Sequence, residues 1–322
     1  MGRFAKVFGL LVLSVIGLAA IGLAVFSTPD FPRSDLEDKY TSDASQFMNW
    51  EDGARLHYRD QGNRSGTSLI LIHGSNASLH SWEPWVSELA DDFRLISLDL
   101  PGHGLTGAVP NSNYSVSDMS QYVIRLMDAL NIDAAYLAGN SMGGAVSLTV
   151  ALDHPERVSG LILISAAGMQ RDAGDAPVGA FRLTQNVIGR QILRHITPRN
   201  MVEDTIRKIV AEPDRFITEE MVTRYWELMR MEGTRDATIT RFAGYAASTP
   251  IEPRLPNLTQ PALILWGEKD TLIKPVYGER MSQVIPNNRL IIYPNAGHMA
   301  MEEVPEQSAA DARAFIKNAS DR

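Results

Sequence analysis

The stretch Ala135-Tyr136-Leu137-Ala138-Gly139-Asn140-Ser141-Met142-Gly143-Gly144-Ala145-Val146 decides how this chain folds. Ala135 to Ala138 is a short apolar run, Gly139 to Gly143 reads G-x-S-x-G, and Met142 to Leu152 returns to helical spacing. Strand, tight turn and helix in direct succession form the setting in which a nucleophile elbow presents its serine. The turn is sharp and strained, so the flanking positions call for glycine, which brings no side chain against the neighbouring strand and helix. Alone, the pentapeptide says little, because three fixed positions of common residues recur by chance in about one chain in ten of this length. Its place between an apolar run and a helix gives it weight.

A serine hydroxyl is a weak nucleophile until a base takes its proton, so Ser141 calls for a histidine oriented by an acid. Ala262 to Trp266 reads as a strand followed by Gly267-Glu268-Lys269-Asp270, and Leu290 to Tyr293 as a strand followed by Asn295-Ala296-Gly297-His298. The chain order Ser141, Asp270, His298 then puts all three on loops at one edge of a sheet. Asp270 would hold the His298 tautomer, and His298 would accept the Ser141 proton and pass it to the leaving group. Glu268, two positions before Asp270, is the alternative acid. A tetrahedral intermediate also needs two preorganised donors. The Met142 N–H supplies one; the other falls in His73-Gly74-Ser75-Asn76, where the Ser75 N–H is expected and Asn76 is the alternative. His73 and His103 read as structural residues of glycine turns, Asp99 as a structural strand-end residue, and His57, His80, His154 and His195 as surface or local-contact residues.

Outward from the elbow, short apolar runs at Leu69 to Ile72, Leu95 to Leu98 and Leu161 to Ile164 join the three already quoted. Continuous apolar strands separated by amphipathic stretches indicate a mostly parallel sheet with helices on both faces, an α/β fold. Helices are expected at Ser81 to Ala90, Ser117 to Leu130 and Met142 to Leu152, and an entry hairpin at Phe47 to Trp50 and Ala54 to Tyr58. The alternation stops after Gly168, where the spacing is helical, so residues 168–250 are expected to form a helical cap between core segments 46–167 and 251–322. Such a cap would roof the carboxyl edge of the sheet, where open α/β sheets bind ligands.

The chain has 322 residues with 44% hydrophobic and 21% charged content, the balance of a globular protein. A formal net charge of −8 with scattered basic residues argues against nucleic acid as a partner. The absence of cysteine removes disulfide frameworks and Cys-based metal or redox sites, and no spacing implies a metal or organic cofactor. Before the fold, Arg3 and Lys6 precede Val7 to Phe26, an uncharged run that would span about 30 Å as a helix. Residues 1–27 therefore read as an N-terminal anchor through the lipid bilayer, with 28–45 as a linker and the catalytic body on the periplasmic or extracellular side. The alternative is a cleaved signal peptide and secretion, which the Leu23 to Ser27 stretch fits poorly.

Across residues 46 to 318 the sequence resembles the α/β-hydrolase superfamily, through His73-Gly74, Asp99-Leu100-Pro101-Gly102-His103-Gly104, Gly139 to Gly144, Gly267 to Asp270 and Gly297-His298. The resemblance implies the α/β-hydrolase fold and hydrolytic chemistry; Ser141 sets aside the dehalogenase and epoxide hydrolase members, which carry aspartate there. The elbow looks like that of the meta-cleavage-product hydrolases, which split a carbon-carbon bond in ring-fission products. Two departures oppose that activity. That family usually has tryptophan after the catalytic histidine, where this chain has Met299, and an arginine before a Trp-Glu pair, where Tyr225 precedes Trp226-Glu227. A tyrosine cannot supply the charge that would hold an anionic dienoate. The expected substrate is therefore a small apolar carboxylic ester, with Asn76, Phe181, Tyr225, Trp226 and Met299 as candidate contacts and a carboxylesterase or lipase-like activity. A carbon-carbon hydrolase is the alternative, and an inactive hydrolase fold used as a binding module is a third reading.

Overall fold

The computed structural model describes Phe4, Val7, Phe8, Leu13, Ser14, Gly17 and Gly22, then residues 26–172, 174, 175, 183, 184, 186–244 and 250–320. After helix α1 (Arg33–Tyr40) the chain enters an antiparallel pair, β1 (Ser45–Asn49) and β2 (Arg55–Gly62), in which Phe47 faces His57. This is the expected hairpin, and β2 continues it by pairing antiparallel with β4 (Arg94–Leu98). The remaining strands, β3 (Ser68–Ile72), β5 (Ala135–Asn140), β6 (Val158–Ile164), β7 (Ala262–Gly267) and β8 (Asn288–Tyr293), run parallel, giving the sheet order β1-β2-β4-β3-β5-β6-β7-β8.

The apolar runs are continuous because both faces are covered. Ile70, Ile72, Leu137, Leu161, Leu163 and Ile264 meet residues of α3 (Val116–Ala129), α4 (Met142–Asp153) and α10 (Pro275–Val284) on one side. Their neighbours in sequence, Leu69, Leu71, Ala138, Ile162, Ile164 and Leu263, meet Trp85 and Leu89 of α2 (Glu83–Leu89) and Ala309, Ala312 and Ile316 of α12 (Pro305–Ser320) on the other. The expected helix starting at Ser81 begins as a 3-10 turn over Leu79–Trp82 before α2. Helix α3 begins one residue early because Ser115 and Asp118 close a capping box.

Between β6 and β7 the described residues are helical: α5 (Val187–His195), α6 (Arg199–Ile209), α7 (Pro213–Phe216), α8 (Glu219–Met229) and α9 (Thr234–Gly244). Val202 and Ile206 of α6 and Met221 of α8 join the apolar cluster on the α2 and α12 side, fastening this segment to the core. A short helix α11 (Ala300–Glu303) follows β8 and its loop.

Asp99, at the end of β4, is the polar hub under this edge of the sheet. Its carboxylate accepts from Leu79 N (2.7 Å), Leu105 N (2.8 Å) and the fully buried His57 Nδ1 (2.7 Å). Burial alone would push Asp99 up, but the His57 bond and the nearby His73 and His80 outweigh it and hold the group at about 2. His57 and His80 are thus internal contacts rather than surface residues: His80 is buried against Ser78 Oγ, the Tyr40 carbonyl and Arg59.

Two expectations for the N-terminal region need correction. Residues 28–45 carry more structure than a tether: Phe31 bridges to Met231, Leu36 of α1 is buried beside Leu228, and Arg55 pairs with Glu37. The apolar side chains Phe31 and Leu36, outnumbered by polar residues in the sequence, dock this segment on α8 and the turn after it. The membrane anchor, and with it the bilayer partner and the periplasmic or extracellular placement, is not upheld. A span needs about 20 consecutive apolar residues in one helix, and among the described residues no helix is long and apolar enough to cross a membrane. Of residues 7–26, only Val7, Phe8, Leu13, Ser14, Gly17, Gly22 and Phe26 are described.

Candidate active site

The elbow is built by close approach of backbone. Ser141 sits between β5 and α4 at φ 53° and ψ −115°, a conformation costly for a residue with a Cβ. A Cβ on Gly139 would lie 2.3 Å from the Gly143 carbonyl oxygen, and one on Gly143 would lie 2.1 Å from the Ile72 oxygen. Gly144, outside the pentapeptide, is fixed too, since its Cβ would fall 2.4 Å from that of Ala166. Gly143→Ala is expected to cost about 3 kcal/mol or more, because Ile72 belongs to a central strand that cannot retreat. Urea denaturation measures this, and an unchanged midpoint would contradict the packing described.

His298 and Asp270 come together across the loops after β8 and β7. His298 Nδ1 donates to Asp270 Oδ2 at 2.7 Å, and both residues are 3% exposed. The other carboxylate oxygen of Asp270 accepts from Leu272 N (2.8 Å) and Ile273 N (2.9 Å), which fixes the acid before it fixes the histidine. With Nδ1 donating, Nε2 carries the lone pair, the form a general base needs. Glu268, the alternative acid, is exposed, so the pair with His298 belongs to Asp270.

Two residues with no visible motif lock this loop. Asn140 Nδ2 donates to the carbonyls of Ile164 (3.2 Å) and His298 (3.0 Å), tying the histidine to the residue before Ser141. The Glu303 carboxylate accepts from Gly297 N, Met299 N (3.0 Å) and Ala211 N (2.7 Å), while His298 N donates to the Ile209 carbonyl at 2.7 Å. Burial pushes Glu303 up, and the three backbone donors oppose that rise. The histidine loop is therefore clamped to α6 and the residues after it.

Met142 is the first residue of α4, so its N–H has no partner within the helix. The loop after β3 passes close by: a Cβ on Gly74 would lie 2.7 Å from Asn140 Oδ1 and 3.3 Å from Ser141 Cβ. Ser75 and Asn76 follow, Asn76 in the left-handed region at φ 59°. His73 donates from Nδ1 to the Gly74 carbonyl (2.7 Å) and accepts from Leu100 N (3.0 Å), and burial holds its pKa down. His103 donates to the Pro101 carbonyl (3.0 Å) and accepts from Arg241. Burial, reinforced by that arginine, keeps His103 neutral well below its ordinary pKa. Both are structural, as their sequence setting implies.

Of the five candidate substrate contacts, Phe181 lies outside the described residues. Asn76 turns its side chain to Arg241 (2.7 Å). Trp226 packs the helical segment instead of opening toward a ligand: its N–H donates to the Thr197 carbonyl (2.7 Å) and its ring meets Phe31 and Arg230. Tyr225 and Met299 do meet, with the phenol 3.7 Å from the Met299 sulfur and 3.5 Å from Glu302 Oε1. Burial raises the Tyr225 phenol and lifts Glu302 to about 8, so both are neutral at pH 7. Since Glu302 binds its proton more tightly folded than unfolded, stability falls as pH rises from about 4.5 to 8. Glu302→Gln removes that titration: its Tm is expected to match wild type at pH 5 and exceed it at pH 8.5. Parallel melting curves across that range would refute the assignment.

The family model for the alpha/beta hydrolase fold matches residues 67–305, and the chain belongs to that family. It is a hydrolase of the α/β fold. The chain is 32% identical over 82% of its length, and 67% of the relative's, to the dihydrolipoyllysine-residue acetyltransferase component of the acetoin cleaving system of Pseudomonas putida. It is 30% identical over 83% of its length, and 93% of the relative's, to a 2-hydroxy-6-oxononadienedioate/2-hydroxy-6-oxononatrienedioate hydrolase of Burkholderia vietnamiensis. In structure it is similar to a bacterial membrane phospholipase A, with TM-score 0.75, 23% identity and 100% coverage of both chains.

Proposed function

We propose that this hydrolase cleaves small carboxylic esters through an acyl-enzyme on Ser141. The observation that carries this reading is the buried His298–Asp270 bond of 2.7 Å at the sheet edge where the elbow turns. Ser141 Oγ attacks the acyl carbon while His298 Nε2 takes its proton, and the Met142 N–H with that of Ser75, or of Asn76, receives the oxyanion. Collapse expels the alcohol, which takes the proton from His298. A water then attacks the acyl carbon as His298 accepts its proton, and the bond to Ser141 Oγ breaks as His298 gives that proton to Oγ, releasing the acid. Met299 and Tyr225 meet on the histidine side, and neither brings a charge there. A panel of p-nitrophenyl esters of graded chain length, with fluorophosphonate labelling of Ser141, tests the proposal; absent turnover and absent label would end it.

Carbon-carbon cleavage of a ring-fission dienoate is the second reading, favoured by relatives whose names state hydrolysis of 2-hydroxy-6-oxo dienoates. The two are separated by comparing a p-nitrophenyl ester with such a dienoate. Turnover of the dienoate alone would replace the ester reading.

A further inference from the structure

Arg241, on α9, stands apart from the other arginines of the helical segment. Arg194, Arg199, Arg207, Arg215 and Arg235 each reach a carboxylate within 4 Å. Arg190 gives to the Thr184 carbonyl (2.7 Å), and Arg224 lines a surface cleft with Glu219 and Glu220. Arg230 has no carboxylate in reach, but it caps the Pro29 carbonyl and stacks on Phe31 and Trp226. Arg241 reaches no carboxylate among the described residues. Its donors meet only neutral acceptors: Nη1 gives to His103 Nε2 (2.5 Å) and Met142 Sδ (3.2 Å), and Nη2 to Asn76 Oδ1 (2.7 Å), while its guanidinium also lies 4.7 Å from the centre of the Phe242 ring. Its Nε is buried without a partner, as are those of Arg230 and Arg235, and desolvation lowers its pKa to about 9.

A guanidinium partly withdrawn from water is costly unless an anion faces it, and a half-buried cation held in place without one can receive an anion. The residues that Arg241 touches define where that anion would sit. Met142 and Asn76 are the residues whose backbone flanks the expected position of the acyl oxygen. Arg241 meets the side chains of these two residues, about one side chain's length from that position, and keeps partial exposure there. Arg241 also bears on substrate choice. Tyr225 supplies no cation, but α9 brings one from a position with no counterpart in the Trp-Glu pattern.

We propose that Arg241 is a specificity-determining residue that binds a carboxylate on the substrate, so that the preferred esters are half-esters of dicarboxylic acids rather than neutral alkanoates. This rests on the ester reading above and narrows its substrate class. Nη2 keeps one N–H beyond its bond to Asn76, and one charge-assisted pair accounts for a discrimination of about 10- to 100-fold.

The test compares p-nitrophenyl hexanoate with mono-p-nitrophenyl adipate, which differ by a terminal methyl against a carboxylate. Arg241→Met is expected to lower kcat/KM on the adipate by about 10- to 100-fold, mostly through KM, and on the hexanoate by less than about 3-fold. Arg241→Lys should retain part of the adipate preference, and thermal melting confirms that both variants fold. Equal losses on the two esters would make Arg241 a structural brace of the oxyanion loop and overturn the proposal, as would an unchanged adipate rate. A second arm needs no turnover: calorimetry of adipate binding to Ser141→Ala, with and without Arg241→Met. If neither ester is cleaved by wild type, the ester reading falls. Adipate binding that disappears with Arg241 then still supports the anion site, and absent binding overturns it.

Discussion

Ser141→Ala is expected to lower kcat on a p-nitrophenyl ester by about 10⁵- to 10⁶-fold, leaving only the background that oriented donors and binding provide. The size follows from the chemistry: without Oγ no acyl-enzyme forms, and His298 has no proton to accept from the nucleophile. The fold should be indifferent to the change. Ser141 is held through its backbone, its N–H donating to the Ile164 carbonyl (3.0 Å) and its own carbonyl accepting from Gly144 N (3.0 Å) and Ala167 N (2.9 Å). Alanine preserves these bonds and bears the same φ of 53° with the same Cβ. Stopped assays at high enzyme concentration measure the residual rate, and a thermal melt on the same sample should lie within about 2 °C of wild type. A drop below about 100-fold at intact Tm would show that another residue carries the nucleophile.

The elbow was legible because its determinants are local. Gly139, Gly143 and the apolar run before them lie within one strand and one turn; the contact that forbids a Cβ on Gly139 lies inside that turn, and the one on Gly143 comes from the end of β3. Asp270 and His298 were legible through topology, since two strand ends in one parallel sheet deliver their loops to one edge. What the sequence did not disclose is carried by contacts between distant segments. Asn140 reads as an unspecified position of the pentapeptide, yet it bonds the His298 carbonyl across 158 positions. Glu303 looks like one of the acids in Glu302-Glu303, and only the tertiary fold brings its carboxylate to Ala211 N across 92 positions as well as to the nearby backbone of Gly297 and Met299. Arg241 left a faint trace: Ala237, Thr238, Gly244 and Tyr245, its neighbours three and four positions away, include no acid to pair with on a helix. Trp226 misled because an aromatic on a helix has the same spacing whether it lines a pocket or packs a neighbour, and here Phe31 takes it. The linker reading failed likewise, since composition counts polar residues but not the two apolar ones that dock.

Asp270→Asn is expected to reduce kcat by about 10⁴-fold with little change in KM, a loss out of proportion to exchanging one atom. The fixed direction of its hydrogen bonds sets the size of the loss. Oδ1 of Asp270 accepts from Leu272 N and Ile273 N, so in the variant the amide oxygen must occupy that place and the amide NH₂ must face His298. An NH₂ group donates, and His298 Nδ1 would then have to accept. The ring proton moves to Nε2, which can no longer take a proton from Ser141. Asparagine thus keeps the shape of the site and inverts the function of its base. A carboxylate that served only as packing would lose far less on this substitution, and Asp270→Ala, which imposes no tautomer, should be less damaging than its size implies. The deciding measurement is kcat against pH for wild type and Asp270→Asn. In the variant, activity should recover as hydroxide takes over the role of base at high pH, whereas a flat residual rate would mean that Asp270 acts on something other than the His298 tautomer.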